Sequence, residues 1–209
     1  MSKKCFILLL FISTNAFAGS DALDLFYQKT DSLSANFTQT IRDTFGKLIE
    51  TSSGRLVIKR PDQFVLNYTK PDEQSYISDG KTLWVYDVEL EQVTIKKADE
   101  KLLNSPALLI SSNRNIRDNY FVKESVDYDA PDNDIFILTP KNVDEENSMM
   151  FANIQLTFFK QRLMEIKMTD NFDQITRLNL YNQEVNSKVD DKVFAFIIPA
   201  DVDVIGTVE

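Results

Sequence analysis

The chain has 209 residues, 43% of them hydrophobic and 26% charged, which is enough for one sizeable globular domain with a buried core. It contains no histidine and a single cysteine, Cys5, which excludes Ser-His-Asp and Cys-His catalytic units, histidine-bearing zinc sites, an intramolecular disulfide and a cysteine-held cluster. A formal net charge of −9 opposes binding to nucleic acid and adsorption to anionic lipid.

Lys3 and Lys4 precede the apolar stretch 6–12, which gives way to Ser13-Thr14-Asn15 and then Ala16-Phe17-Ala18. A basic start, a short apolar run and an Ala-x-Ala end define a secretory signal peptide, expected over residues 1–18 and cleaved after Ala18. The run is too short to anchor the mature chain in a bilayer, and Gly19 rather than cysteine stands at the cut, so no lipid anchor is expected. Residues 19–209 then form a single exported domain, expected to be a soluble monomer.

In the mature part, Ser20 is the expected cap of a short helix from Asp21, with Leu23, Phe26 and Tyr27 as its apolar stripe. After Ser34 the period changes to two. Phe37, Gln39 and Ile41 share one face, a turn falls near Gly46, and strands are predicted at 54–60, 63–68, 73–78, 82–87 and 91–96. Arg60-Pro61-Asp62, Lys70-Pro71-Asp72, Asp79-Gly80 and Val88-Glu89 separate them as turns. Ser105-Pro106 then reads as a helix start followed by Ala107-Leu108-Leu109-Ile110, apolar on every side, so this helix needs a cover. Strands resume at 121–125, 135–139, 151–159, 163–169, 174–181 and 193–198.

This pattern describes a mostly antiparallel all-β fold with helical additions. Large apolar side chains alternate in Phe64-x-Leu66-x-Tyr68, Ile154-x-Leu156-x-Phe158, Met164-x-Ile166-x-Met168 and Phe194-x-Phe196-x-Ile198. A twisted sheet with such a face curls to cover it, into an incomplete barrel capped by short helices. Periodicity alone favours a barrel filled by its own side chains over one holding a cavity.

The stretch 54–93 carries Lys59-Arg60-Pro61 with Phe64, Pro71-Asp72-Glu73, Ser78-Asp79-Gly80-Lys81-Thr82-Leu83-Trp84, Tyr86 and Gln92-Val93. In this order and spacing it closely resembles LolA, the family of periplasmic carriers of outer-membrane lipoproteins. The likeness extends to the leader, the first helix with Phe37 and Gln39, Pro106 to Ile110, and Phe194-x-Phe196-x-x-Pro199. It departs at Leu66, where many members carry Trp. The resemblance implies an unclosed antiparallel β-barrel with a short-helix lid over an apolar cavity. It also implies a periplasmic, non-enzymatic role without cofactor. Such a carrier takes lipoproteins from an inner-membrane ABC transporter of LolCDE type and hands them to an outer-membrane receptor of LolB type.

Acyl chains resist water by ~0.8 kcal/mol per exposed methylene, so a shuttle must enclose them in flexible apolar walls. The residues expected to form these walls are Phe37, Leu56, Ile58, Leu66, Leu83, Val85, Leu108, Leu109, Met164, Ile166 and Phe196, with Phe64 at the cavity mouth. Arg60 shares the parity of Leu56 and Ile58, so it points to the apolar side, where an unpaired charge is very costly. The resemblance implies that lid-helix carbonyls accept its hydrogen bonds, making Arg60 a latch that cargo must break.

Rival readings are weaker. Asp127, Asp129, Asp132 and Asp134 lack the glycine and the bidentate glutamate of a calcium loop, and Asp144-Glu145-Glu146-Asn147 also reads as solvated loop. No GxSxG supports an esterase and no GxxxxGK[ST] supports nucleotide-driven release. The alternative of another class is a lipoprotein-sensing module of envelope-stress signalling, whose chains are longer and carry a second domain.

Overall fold

The computed structural model describes residues 21–98, 106–112, 115–141 and 151–207. The expected signal peptide, the Ser105 cap and the Asp144–Asn147 loop lie outside them. Helix α1 spans Ala22–Lys29 and is capped by Asp21, not Ser20: the Asp21 carboxylate accepts the Asp24 N–H at 2.8 Å. A six-strand meander follows, with β1 at Ser32–Arg42, β2 at Leu48–Lys59, β3 at Gln63–Lys70, β4 at Gln74–Asp79, β5 at Thr82–Asp87 and β6 at Gln92–Lys97. Two short helices, α2 at Pro106–Ser111 and α3 at Ile116–Asn119, lead into a second meander. Its strands are β7 at Tyr120–Ser125, β8 at Asn133–Pro140, β9 at Phe151–Phe159, β10 at Arg162–Asp170 and β11 at Ile175–Val185. A 3-10 turn at Asp191–Phe194 and the short strand β12, Asp203–Ile205, complete the described chain.

All of these strands join one sheet in the order β12-β6-β5-β4-β3-β2-β1-β11-β10-β9-β8-β7. The two meanders meet where β11 pairs antiparallel with β1, and only β12 on β6 is parallel. β7 and β12 do not pair with each other, so the barrel is unclosed. It is nevertheless strongly curled: Leu83 of β5 and Phe136 and Leu138 of β8, far apart in strand order, belong to one apolar core.

Period-two parity sets this core. Leu56 and Ile58 of β2, Phe64 and Leu66 of β3 and Leu178 and Leu180 of β11 face inward together. Gly54 lets β2 approach β3 closely; a Cβ there would stand 1.9 Å from the Asn67 carbonyl oxygen and 2.9 Å from the Phe37 ring. The outer face is partly covered too. Val57, Val65 and Ile77, between the inward residues, bury Phe194 of the 3-10 turn in a second cluster flanked by Trp84 and Phe196.

Two expectations are corrected here. No strand forms over 193–198; the chain makes the 3-10 turn and then crosses the outside of the sheet, because Phe194 fills an apolar patch there rather than extending a ladder. Phe196 therefore packs near Trp84 and Tyr86 on the outer face, at ring distances of 6.2 and 5.8 Å, away from any internal cavity. Met164 is also displaced. Leu163 opposes Phe158 and Glu165 opposes Thr157, so Met164 is an extra residue in β10, a bulge that reverses parity and leaves it exposed while Leu163, Ile166 and Met168 face inward.

Candidate functional site

Inside the curled sheet, below α2, lies an apolar hollow of about 290 Å³. Phe64 and Leu66 of β3, Leu83 and Val85 of β5, Leu108 of α2 and Met168 of β10 supply most of its apolar wall, with Phe151 at the start of β9. Of the residues expected to form a cavity, these include Phe64, Leu66, Leu83, Val85 and Leu108. Phe37, Leu56, Ile58, Leu109 and Ile166 are buried in the surrounding core without bordering the hollow. The reading from sequence missed Gln39, Tyr68, Tyr76 and Met168, which also line it. The signal for the first two was present: Phe37-x-Gln39 and Leu66-x-Tyr68 put polar atoms on faces otherwise apolar.

Arg60, just past β2, sits above this core between the helices. Its guanidinium donates to main-chain carbonyls on both: to Phe26 at 3.1 Å, Tyr27 at 3.3 Å and Thr30 at the end of α1, and to Ile110 at 2.9 Å and Ser112 at 3.1 Å at the end of α2. They lie at helix C-termini, where carbonyls lack intrahelical partners and the helix dipole favours a cation, except that the Phe26 carbonyl also accepts the Thr30 N–H at 3.1 Å. The Phe26 and Tyr27 rings stand 4.9 and 4.8 Å from the guanidinium carbon and add cation–π attraction. Burial lowers the Arg60 pKa from its ordinary value, with Tyr27 and Asp31 opposing the shift; a guanidinium nevertheless stays protonated. One side chain thus ties both helices to the β2–β3 corner, where Asp62 N–H also donates to the Ser111 carbonyl at 3.0 Å.

The helices have further ties. The Tyr27 hydroxyl donates to the Leu109 carbonyl at 3.0 Å, joining α1 to α2 directly. Arg117 of α3 pairs with Asp21 at 2.7 Å and Asp24 at 3.3 Å at the opposite end of α1. Every residue of α2 is buried, which fits its unbroken apolar sequence. Tyr120 has a buried hydroxyl with no hydrogen-bond partner among the described residues.

The wall of the hollow brings together aromatic and aliphatic groups with a few hydroxyls and amides and the charged Lys96, and no cluster of three or more potential metal ligands occurs among the described residues. Asp127 instead accepts the N–H groups of Asp129 and Ala130 at 3.0 and 3.3 Å, an ordinary loop turn. No helix among the described residues is long and apolar enough to cross a membrane.

Comparison with known proteins agrees with this architecture. The chain is 37% identical over 188 residues to a protein of Hahella chejuensis called outer-membrane lipoprotein carrier protein, covering 90% of this chain and 88% of that one. A protein of the same name from Idiomarina loihiensis is 34% identical over 210 residues and 98% of both chains. Among solved structures, an uncharacterised conserved protein of Thermus thermophilus shares the fold with a TM-score of 0.53 at 12% identity, over 88% of this chain and 96% of that one. Residues 28–197 match the family described as outer membrane lipoprotein carrier protein LolA, and with relatives this similar along nearly its whole length, the chain belongs to that family.

Proposed function

We propose that the protein encloses the acyl chains of outer-membrane-directed lipoproteins and carries them through the periplasm. In this reading it is a soluble carrier that performs no chemistry and needs no cofactor. It receives cargo from an inner-membrane ABC transporter and delivers it to an outer-membrane receptor. The observation that carries the reading is the apolar hollow beneath α2, a helix that one arginine ties to α1 and to the sheet corner. The curated relatives' names supply the cargo class.

The mechanism follows from sizes and affinities. At about 290 Å³ the hollow lies just under the lower bound for a ligand pocket, roughly 300–1,000 Å³, and is too small for a lipid with several long chains. Cargo enters only as α1 and α2 lift away, which requires Arg60 to leave its carbonyls. The free energy of enclosing methylenes, ~0.8 kcal/mol each, opposes the loss of those bonds. The latch weakens cargo binding by favouring the closed, empty form, and this lets lipoprotein pass to a tighter-binding receptor without nucleotide.

Arg60→Leu tests it. Without the latch the open form gains population, so lipoprotein is bound at least as well and handed over more slowly, by tenfold or more where about 1.4 kcal/mol of closing free energy is lost. Purified carrier loaded with lipoprotein and mixed with receptor gives the rate. Transfer by Arg60→Leu at the wild-type rate overturns the latch; a wild-type protein that retains no lipoprotein overturns the carrier.

A further inference from the structure

A second hollow, of about 340 Å³, lies towards the end of the sheet where the β1–β2, β3–β4 and β5–β6 turns fall. Its walls are polar, including Glu50, Ser52, Lys70, Asp72, Gln74 and Asp87. Three residues line both hollows: Gln39, Tyr68 and Tyr76. The two spaces therefore meet at a belt of hydroxyl and amide groups, with a mostly apolar wall, broken by Lys96 and Thr176, on one side and several charged groups on the other.

The belt is ordered. The Tyr68 hydroxyl donates to the Gln39 side-chain oxygen at 2.9 Å, and its ring is held edge-on against Phe37 at 5.1 Å and Tyr76 at 6.1 Å. The Tyr76 hydroxyl donates to Gln74 at 3.0 Å, so neither tyrosine proton remains free. Gln39 differs. Its oxygen is engaged by Tyr68, while its amide N–H groups have no acceptor among the described residues. A preoriented donor thus stands where an apolar compartment ends and a polar one begins.

We propose that Gln39, fixed by Tyr68, donates to the ester carbonyl of an acyl chain, with the tail in the apolar hollow towards α2 and the head group in the polar hollow. This rests on the carrier reading above and adds direction and depth to it. A wholly apolar cavity accepts hydrocarbon in any orientation; a few placed polar groups fix one. The carbonyl is the last polar atom before the chain becomes pure hydrocarbon, so it marks the boundary that the belt occupies. With the head held there, the tail extends towards Leu108 and Pro106 of α2, the helix that Arg60 secures.

The test compares two water-soluble lipopeptides: dioctanoylglyceryl-cysteinyl peptide, and its dioctyl-ether counterpart with equal chain length and no acyl carbonyl. Calorimetric titration of the mature protein is expected to show the ester bound roughly fivefold more tightly than the ether, as one net hydrogen bond provides. Gln39→Leu and Gln39→Met bring that ratio to about one. Tyr68→Phe preserves the ring packing but frees the glutamine to turn, and reduces the ratio to about half or less. Equal affinity of the wild type for ester and ether overturns the inference alone, as does a ratio unchanged in both Gln39→Leu and Tyr68→Phe. Absence of binding to either lipopeptide overturns the carrier reading and this inference together.

Discussion

Two tyrosines, half-buried Tyr27 of α1 and buried Tyr120 of β7, separate a bond that holds the structure from one that is missing. The Tyr27 hydroxyl donates to Leu109 across the α1–α2 gap, whereas the Tyr120 hydroxyl is buried without a partner among the described residues. Removing a bonded hydroxyl leaves its acceptor unsatisfied; removing an unbonded one deletes only a desolvation cost. Tyr27→Phe is therefore expected to lower stability by about 1 kcal/mol, and Tyr120→Phe to leave it unchanged or raise it by up to ~1 kcal/mol. Urea unfolding of the two variants beside the wild type measures both, and the reverse order would refute the assignment. Arg60 extends the same contrast: a charge at this depth is tolerated because main-chain carbonyls of two helices and two aromatic faces surround it.

At the scale of elements, the C-terminal segment acts as a strap outside the barrel while the helices close it inside. Asn186 accepts the N–H groups of Asp31 at 2.7 Å and Ser32 at 3.3 Å and donates to the Lys29 carbonyl at 2.7 Å, which joins the strap to the corner between α1 and β1. The strap then pairs Asp191 with Lys59 and seats Phe194 against Val57, Val65 and Ile77. Since Phe194 is on the opposite face of the sheet from the hollow, Phe194→Ala is expected to destabilise by about 3–4 kcal/mol without altering the affinity of folded protein for an acylated peptide. Calorimetric titration at a temperature well below its melting point separates the two effects, and a loss of affinity in fully folded variant would place the strap in binding. This segment was also where sequence reading was weakest. Alternation at Phe194-x-Phe196-x-Ile198 imitates a strand, but the pattern records apolar contact with a surface, not ladder pairing. In β3 and β5 parity puts Phe64, Leu66, Leu83 and Val85 on one face, and that face borders the hollow, since no bulge intervenes between them. In β10 a single extra residue sent Met164 outward, and bulges leave no mark in hydrophobic period. The hollow itself was illegible from pattern, because a filled barrel and an empty one need the same inward faces; only the likeness over 54–93 favoured the latter.

Over the whole molecule, the absence of histidine has a consequence for how the carrier responds to pH. Histidine is the side chain whose unperturbed pKa puts its charge change between about pH 5 and 8, and the sequence has none. The alkaline side is different. Burial, the largest cause in each case, raises the hydroxyl pKa of Tyr27, Tyr68, Tyr76 and Tyr120 above the usual tyrosine value. Neighbouring Tyr120 pushes Tyr27 further up while Arg60 pulls it down, and Tyr76 and Glu50 add to the shift at Tyr68. Above the unfolded value of about 10, the folded chain retains protons that the unfolded chain has released. Stability from these four groups is thus complete below pH ~10 and is lost as pH climbs towards their folded values. The melting temperature is expected to stay level from about pH 6 to 8.5 and to fall progressively above pH ~10, with Tyr68→Phe falling less steeply than wild type. Thermal unfolding followed by circular dichroism across that range checks both limbs. A step near neutrality would reveal some other group titrating there, whereas a melting temperature still level at pH ~11.5 would mean that the hydroxyls lining the hollow and supporting the lid are not held in the dry surroundings on which enclosure of acyl chains depends.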